Sequence, residues 1–462
     1  MQRNLVTIRS SSIFLKAIAL FGSLTISSLC AAAEPDVTAF VHVNVVPMDR
    51  DRVLADQTVL IDKGVISAIG PDVRTPSGAR IIDGRGKFLS PGLADMHSHS
   101  DTREDMKVYL ATGVTSILNL GGASSDFIDQ LMPLLNRSER PGPHVYAALR
   151  IDGTPDYGQL VVKTPEEARW AVRIAKTNGY RFMKLYNNLS PATFAAADDE
   201  ARKQGLGLAG HHLEAVSLSR EVRGGHFLVA HLEEVIYGLF KAPEADPLAA
   251  PPESTTITAV DLLRHNHAFV VADLITFETI AEQWGHPEVV AAYFARPSTK
   301  YVPFRWRLYW WREDYKDRKG SLAPRARFIA RLAKALDDAG VPIVSGTDAP
   351  TIPGIVPGFS VHDNLDRLVA AGLTRFQALS SATRTAGYVV DQSIHDTPSF
   401  GKVQSGYRAD LILSDTNPLD DLETLRTPVG VMSHGHWYDR RSLQGLLDGV
   451  ASDYAVAAAP SR

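Results

Sequence analysis

The sequence predicts an α/β protein: a (β/α)8 barrel of the TIM type with a small discontinuous β-sandwich domain formed by its N- and C-terminal segments. Three observations carry this. Eight apolar strand-like runs alternate with amphipathic helical stretches through the middle of the chain, the order that implies a parallel sheet with helices outside it. β-rich segments flank that middle on both sides. The chain's 462 residues suffice for a barrel of roughly 250 residues or more with a smaller domain beside it.

The first residues, MQRNLVTIRSSSIFLKAIALFGSLTISSLCAAAEP, set Arg3, Arg9 and Lys16 ahead of an apolar run from Ala17 to Leu29 that is too short to span a bilayer. This is the pattern of a cleavable export signal over residues 1–33, with Ala31 and Ala33 placing cleavage before Glu34. A lipid anchor on Cys30 is the alternative, disfavoured because Leu29 stands where a small residue is wanted. The expected destination is the periplasm or the exterior, without membrane attachment after cleavage. Cys30 is the single cysteine, so the mature chain has no disulfide, and any metal site must use nitrogen and oxygen ligands. Zinc suits such a set.

Residues 34–90 and 401–462 are expected to form the small β domain. FVHVNVVPM, QTVLIDKGVISAIGP and ARIIDGRGKF read as strands, with Asp62-Lys63-Gly64 as a hairpin turn. The same character returns in GKVQSGYRADLILSDTNP and VGVMSHGHWYDR. Residues 91–400 carry the barrel, whose strand runs are FLSPGLADMH, VTSILNL, HVYAALRI, RFMKLY, LGLAGH, HFLVAH, AFVVADL and VPIVSGTDA. Several of the helical stretches between them end in Gly, a C-terminal stop. An insertion over 284–321, between the seventh and eighth strands, holds Tyr301, Phe304, Trp306, Tyr309, Trp310 and Trp311. Loops after barrel strands face the active site, which makes the insertion a lid; aromatics packed onto the barrel are the equal alternative. As a lid, Trp306, Tyr309, Trp310 and Trp311 would wall the pocket.

A net charge of -4 with 22% charged residues points to neither nucleic acid nor an anionic membrane. A small-molecule substrate is expected, and the reading leaves room for a homo-oligomer.

Chemistry gathers at the strand ends. The first strand ends Asp95-Met96-His97-Ser98-His99, and alternation along a strand points His97 and His99 the same way. HxH alone is weak, and His265/His267 and His434/His436 repeat it as decoys. Company strengthens it: Lys184 ends the fourth strand, His211 and His212 the fifth, His231 the sixth and Asp348 the eighth. Each has a bland reading, such as a snorkelling lysine or a capping aspartate. Five bland strand ends on one barrel face are improbable.

This constellation, with the leading β segment, LSPGLADMHSH, GYRADLILSDTNPL and GHWYDR, resembles the amidohydrolase superfamily, in its branch related to imidazolonepropionase, prolidase-like dipeptidases and ochratoxin-cleaving amidohydrolases. The resemblance implies two divalent metal ions. His97, His99 and Asp348 would hold the more buried ion, and His211 and His231 the more exposed one, with His212 the alternate to His211. Lys184, as a carbamate, would bridge them. It implies hydrolysis of an amide or peptide C–N bond, in a dipeptide, N-acyl amino acid or aromatic amide, by water activated between the ions. Asp348 would be the catalytic proton carrier. His144, Tyr186, Arg305 and Arg307 are candidate substrate contacts. A single-metal deaminase or cyclic amide or imide hydrolase is the alternative enzyme, disfavoured because one metal needs no bridging anion. A non-catalytic binding protein is disfavoured by the complete ligand set.

Overall fold

The structure, a computed structural model, describes residues 37–458. The export signal expected over 1–33, its cleavage point and Cys30 lie outside the described residues. Five strands open the chain: β1 (Val37–Val45), β2 (Leu54–Asp62), β3 (Val65–Gly70), β4 (Arg80–Asp83) and β5 (Phe88–Pro91). The barrel region supplies β6 (Leu93–Ser98), β7 (Val114–Asn119), β8 (His144–Asp152), the short β9 (Leu160–Val161), β10 (Phe182–Leu185), β11 (Gly207–Gly210), β12 (Phe227–Val229), β13 (Phe269–Val271) and β14 (Ile343–Val344). The chain returns with β15 (Leu411–Ser414), β16 (Gly430–Ser433) and β17 (His436–Asp439).

The small sheet runs β17-β16-β15-β5-β1-β2-β3, with β4 against β1, so antiparallel pairing of β5 with β15 stitches the two ends of the chain together. Lys63 (φ 48°) and Gly64 (φ 77°) turn β2 into β3, both left-handed as a two-residue hairpin loop prefers. In a flat sheet β17 would lie about 19 Å from β1, four strand spacings away. The Trp437 ring of β17 nevertheless stands 5.3 Å from the Phe40 ring of β1. The two layers of the sandwich are therefore halves of one curled sheet, closed over Phe40, Val59, Ile66, Leu411 and Met432.

Among the described residues, eight parallel strands follow the order β6-β7-β8-β10-β11-β12-β13-β14, with β9 a side branch on β8. Past the end of β14 the chain rejoins β6: Met96 N donates to Ser345 O at 2.8 Å, Asp348 N to His97 O at 2.8 Å, and His99 N to Ala349 O at 2.7 Å. The molecule contains a (β/α)8 barrel. Its interior is filled by Met96, Leu118, Tyr146, Phe182, Leu228 and Phe269, among others. Val389, Val390 and Ile394, from the helix Arg384–Ile394, belong to the same cluster. No helix among the described residues is long and apolar enough to cross a membrane.

Arg408, just ahead of β15, fastens the small sheet to the barrel. It is buried, with Nε 2.5 Å from Asp410 Oδ2 and Nη2 2.6 Å from Ser116 Oγ on β7. Removing one partner of a buried pair leaves the other charge uncompensated. Arg408→Met is therefore expected to cost about 3–5 kcal/mol in urea unfolding at neutral pH; a loss below about 1 kcal/mol would contradict this, since that is the scale of an exposed pair.

Candidate metal centre

Along a strand, the residue two positions beyond an inward-facing one faces inward again, one layer nearer the strand's C-terminal end. Ala148, Phe182 and Ala209 lie in the barrel interior, so Arg150, Lys184 and His211 are the next inward positions. Val344 leads likewise through Gly346 to Asp348. On β6 the register to β7 shifts between Asp95 and Ser98, and the His97 and His99 rings come to 5.3 Å apart. Two glycines permit the close approach. A Cβ on Gly346 would stand 2.9 Å from His97 Cβ, and one on Gly210 would stand 2.3 Å from Leu185 O.

Three of the four imidazoles are hydrogen-bonded through Nδ1, and His211 makes a longer contact through the same atom. His97 Nδ1 lies 2.9 Å from Ala230 O, His99 Nδ1 2.6 Å from Gly121 O, His231 Nδ1 2.5 Å from Asp273 Oδ2 and His211 Nδ1 3.3 Å from Glu234 Oε1. A ring that donates from Nδ1 keeps its lone pair on Nε2. Those lone pairs converge. His99 Nε2 and His97 Nε2 lie 3.0 and 3.5 Å from Asp348 Oδ1, and the His231 ring stands 4.3 Å from His97 and 5.2 Å from His211. His97 Nε2, His211 Nε2 and Lys184 Nζ are buried without a hydrogen-bond partner. Buried polar atoms are ordinarily paired, and nitrogen orphans gathered near one carboxylate fit a divalent cation.

Ligand atoms of His97, His99 and Asp348 lie within 4.8 Å of one another, as do those of His97, His231 and Asp273. The second group differs, because Asp273 is already engaged by His231 Nδ1 and serves to orient that ring. His212 is turned away, its Nδ1 2.9 Å from Glu221 Oε1. The geometry brings His211, not His212, to the cluster.

Electrostatics divide the group. Burial holds His97 and His211 well below the usual imidazole range, and the Lys184 ammonium adds to this. Burial opposes charge on His231 as well, but the Asp273 and Glu233 carboxylates outweigh it and push the ring up to about 10. Burial pushes Lys184 down to about 8 against the pull of Asp348 and Glu234. For Asp348, the hydrogen bond and charge of His99 overcome burial and hold the carboxyl below its ordinary range.

A cavity of about 460 Å³ opens over the cluster, lined by His99, His211, His231 and Asp348 together with Arg150, Tyr157, Tyr186, Trp306, Tyr309 and Tyr315. Tyr186 is placed as expected, its ring 4.1 Å from His211 and stacked at 5.0 Å on Tyr157. The helix Phe304–Arg312 splits the expected wall. Trp306 and Tyr309, three residues apart, share a face toward the cavity. Trp310 is instead fully buried, with Nε1 donating to Pro350 O at 2.7 Å, and Trp311 is 68% exposed. Arg305 pairs with Asp101, and neither it nor Arg307 lines the cavity. His144 begins β8, six residues before Arg150 and so about 20 Å away at the opposite end of the barrel; its Nδ1 lies 3.0 Å from His434 Nε2. His265 and His267 are likewise absent from the lining.

No family model matches the sequence. Over 82 residues the chain is 40% identical to dihydroorotase of Carboxydothermus hydrogenoformans, a match covering 16% of this chain and 19% of that protein. Over 93 residues it is 33% identical to ochratoxinase of Aspergillus niger, covering 20% of this chain and 18% of that one. The matches thus span about a fifth of these relatives' length. The fold superposes on bottromycin amidohydrolase with a TM-score of 0.71, 22% identity and 91% of both chains covered. On the A. niger ochratoxinase structure the TM-score is 0.61, with 18% identity, 88% of this chain and 96% of that one. At these identities the structural likenesses show a shared fold.

Arg150, Asp273, Glu234, Tyr157 and Tyr315 join the site without having been expected from the sequence. The signal for two of them was present. Arg150 breaks the apolar run of β8, and Asp273 ends the run VVAD of the seventh strand just as His231 ends the sixth. Because Asp273 fixes the His231 ring, Asp273→Asn is expected to weaken zinc retention against a chelator by about 10–100-fold. Circular dichroism should be unchanged, and retention within twofold of wild type would remove the orienting role.

Proposed function

We propose that this chain is a metal-dependent hydrolase of amide-type C–N bonds in small molecules: dipeptides, N-acyl amino acids or aromatic amides. The observation that carries the reading is the pair of His97 Nε2 and His99 Nε2 on Asp348 Oδ1, with the His231 and His211 rings beside them and with His211 Nε2 and Lys184 Nζ buried without a partner. In this reading His97, His99 and Asp348 hold one divalent ion, most simply zinc, and His211 and His231 hold a second. Bound ions of this kind supply an acidified water and an electrophile for the substrate carbonyl.

The remaining work falls to the chain. Asp348 faces both His99 and the cavity, so it is placed to take a proton from the attacking water and hand it to the departing nitrogen, without which an amide nitrogen leaves poorly. Trp306, Tyr309, Tyr157 and Tyr315 shelter the site from water and accept a bulky apolar group. Lys184 would join the ligand set as an Nζ-carbamate formed with carbon dioxide, which replaces a repelling ammonium by an anion with two oxygens. Support comes from its burial without a partner. A single-ion deaminase would leave Lys184 with no task. Export to the periplasm or exterior as a free protein, with no nucleic-acid partner, completes the proposal.

Lys184→Ala is expected to bind fewer than two zinc ions per chain by elemental analysis and to lose on the order of 100-fold or more in amide hydrolysis. Lys184→Arg should not rescue it, because guanidinium cannot form the carbamate. Wild-type apoprotein should regain activity with zinc faster when bicarbonate is added. Either variant retaining two tightly held ions and near wild-type turnover would refute the bridging role and leave a single-ion site of His97, His99, His211 and Asp348.

A further inference from the structure

We propose that the substrate carries a carboxylate received by Arg150, which narrows the substrate class to N-acyl amino acids and short peptides with a free carboxyl terminus; this rests on the hydrolase reading above. Arg150 lines the cavity and supplies the one guanidinium or ammonium among the described lining residues. Among the described residues no carboxylate lies within ion-pair distance of it. Its Nε is buried without a hydrogen-bond partner, and its guanidinium stands 5.6 Å from the Tyr186 ring centroid. The lining carboxylate, Asp348, is engaged with His99.

A partly desolvated cation with an unpaired donor costs stability unless something accepts from it. A carboxylate does so in the geometry a guanidinium favours, two parallel N–H···O bonds. One guanidinium also matches one negative charge, which favours a carboxylate over a phosphate dianion. The surrounding Tyr157, Tyr186, Trp306 and Tyr309 supply an apolar wall beside that anchor, so an aromatic or large aliphatic side chain near the carboxylate fits the cavity. A competing partner exists within the protein. Lys184 lies directly across the strand register from Arg150, and as a carbamate it too would be anionic.

The test uses zinc-loaded protein and two probes that cannot be hydrolysed, 3-phenylpropionate and the neutral 3-phenylpropanol, titrated calorimetrically. Wild type is expected to bind the carboxylate about 100-fold more tightly than the alcohol, the scale of a charge-assisted bidentate contact. In Arg150→Gln, verified to hold the same zinc content, that ratio should fall to within about fivefold, with Arg150→Lys intermediate because it keeps the charge and loses the fork. The kcat/KM for N-acetyl-L-phenylalanine should fall about 100-fold in Arg150→Gln, chiefly through KM. If Arg150→Gln keeps the wild-type ratio at full zinc content, or loses zinc together with carboxylate binding, the anchoring role is wrong: the ions, or Lys184, take the charge instead. If Arg150→Gln does not fold, Arg150→Lys carries the same comparison. Carboxylate selectivity that depends on Arg150, in a protein that cleaves no N-acyl amino acid or dipeptide, would support the anchor and remove the hydrolase reading.

Discussion

The backbone hydrogen bond from Asp348 N to His97 O, 2.8 Å long, joins the last barrel strand to the first, and the mouth is arranged around that seam. It sets a carboxylate and an imidazole from opposite ends of the barrel sequence within 3.5 Å. Gly346 makes this possible, since any side chain there would press on His97. Asp348 itself is left-handed, with φ 58°, a strained conformation that aspartate tolerates better than most residues. Beneath the seam, buried Asp95 accepts from His97 N at 3.2 Å, Thr347 Oγ1 at 2.6 Å and Tyr109 hydroxyl at 3.0 Å. Burial pushes this carboxyl up to about 7 against those donors. One acid thus ties β6, the Asp348 loop and the helix Arg103–Ala111 into a single support.

The aromatic insertion is anchored to the same support from above. Trp310 bonds to Pro350, two residues past Asp348, and Arg305 pairs with Asp101, two residues past His99. The helix Phe304–Arg312 therefore bridges the two loops that leave the seam, and it carries the wall made of Trp306 and Tyr309. The aromatics accordingly divide, with Trp306 and Tyr309 lining the cavity and Trp310 packed on the barrel. A helix that must cover a cavity and also grip the barrel divides its side chains between the two tasks according to its phase.

That phase was not legible in the sequence, because Pro303 ahead of the first helical residue can be assigned as a helix start only once the helix is known. The strand ends were legible, because a parallel barrel presents its chemistry at one end of every strand. That rule singles out His97, His99, Lys184, His211, His231 and Asp348, and the structure places all six around one mouth. Arg150 and Asp273 obey the same rule and were missed, since arginine and aspartate near a loop read as solvated. His144 was misassigned for the opposite reason: it begins its strand instead of ending it. Strand direction, more than residue type, decided that error.

Position also separates the two cations of the mouth. Lys184 is fully buried, between neighbouring strands and close enough to His97 and His211 to depress both. Arg150 sits one strand over, at the cavity surface, against Tyr186. A cation in the Lys184 position works against assembly of a metal centre, whereas a cation in the Arg150 position opposes nothing that a substrate anion does not relieve. Under the proposed carbamate, the barrel register that places the two side by side would suit opposite uses, with the deeper amine made anionic and the shallower guanidinium kept positive. Lysine can change sign by forming a carbamate and arginine cannot, so the proposal requires lysine at depth and arginine at the surface, the order in which the barrel places them.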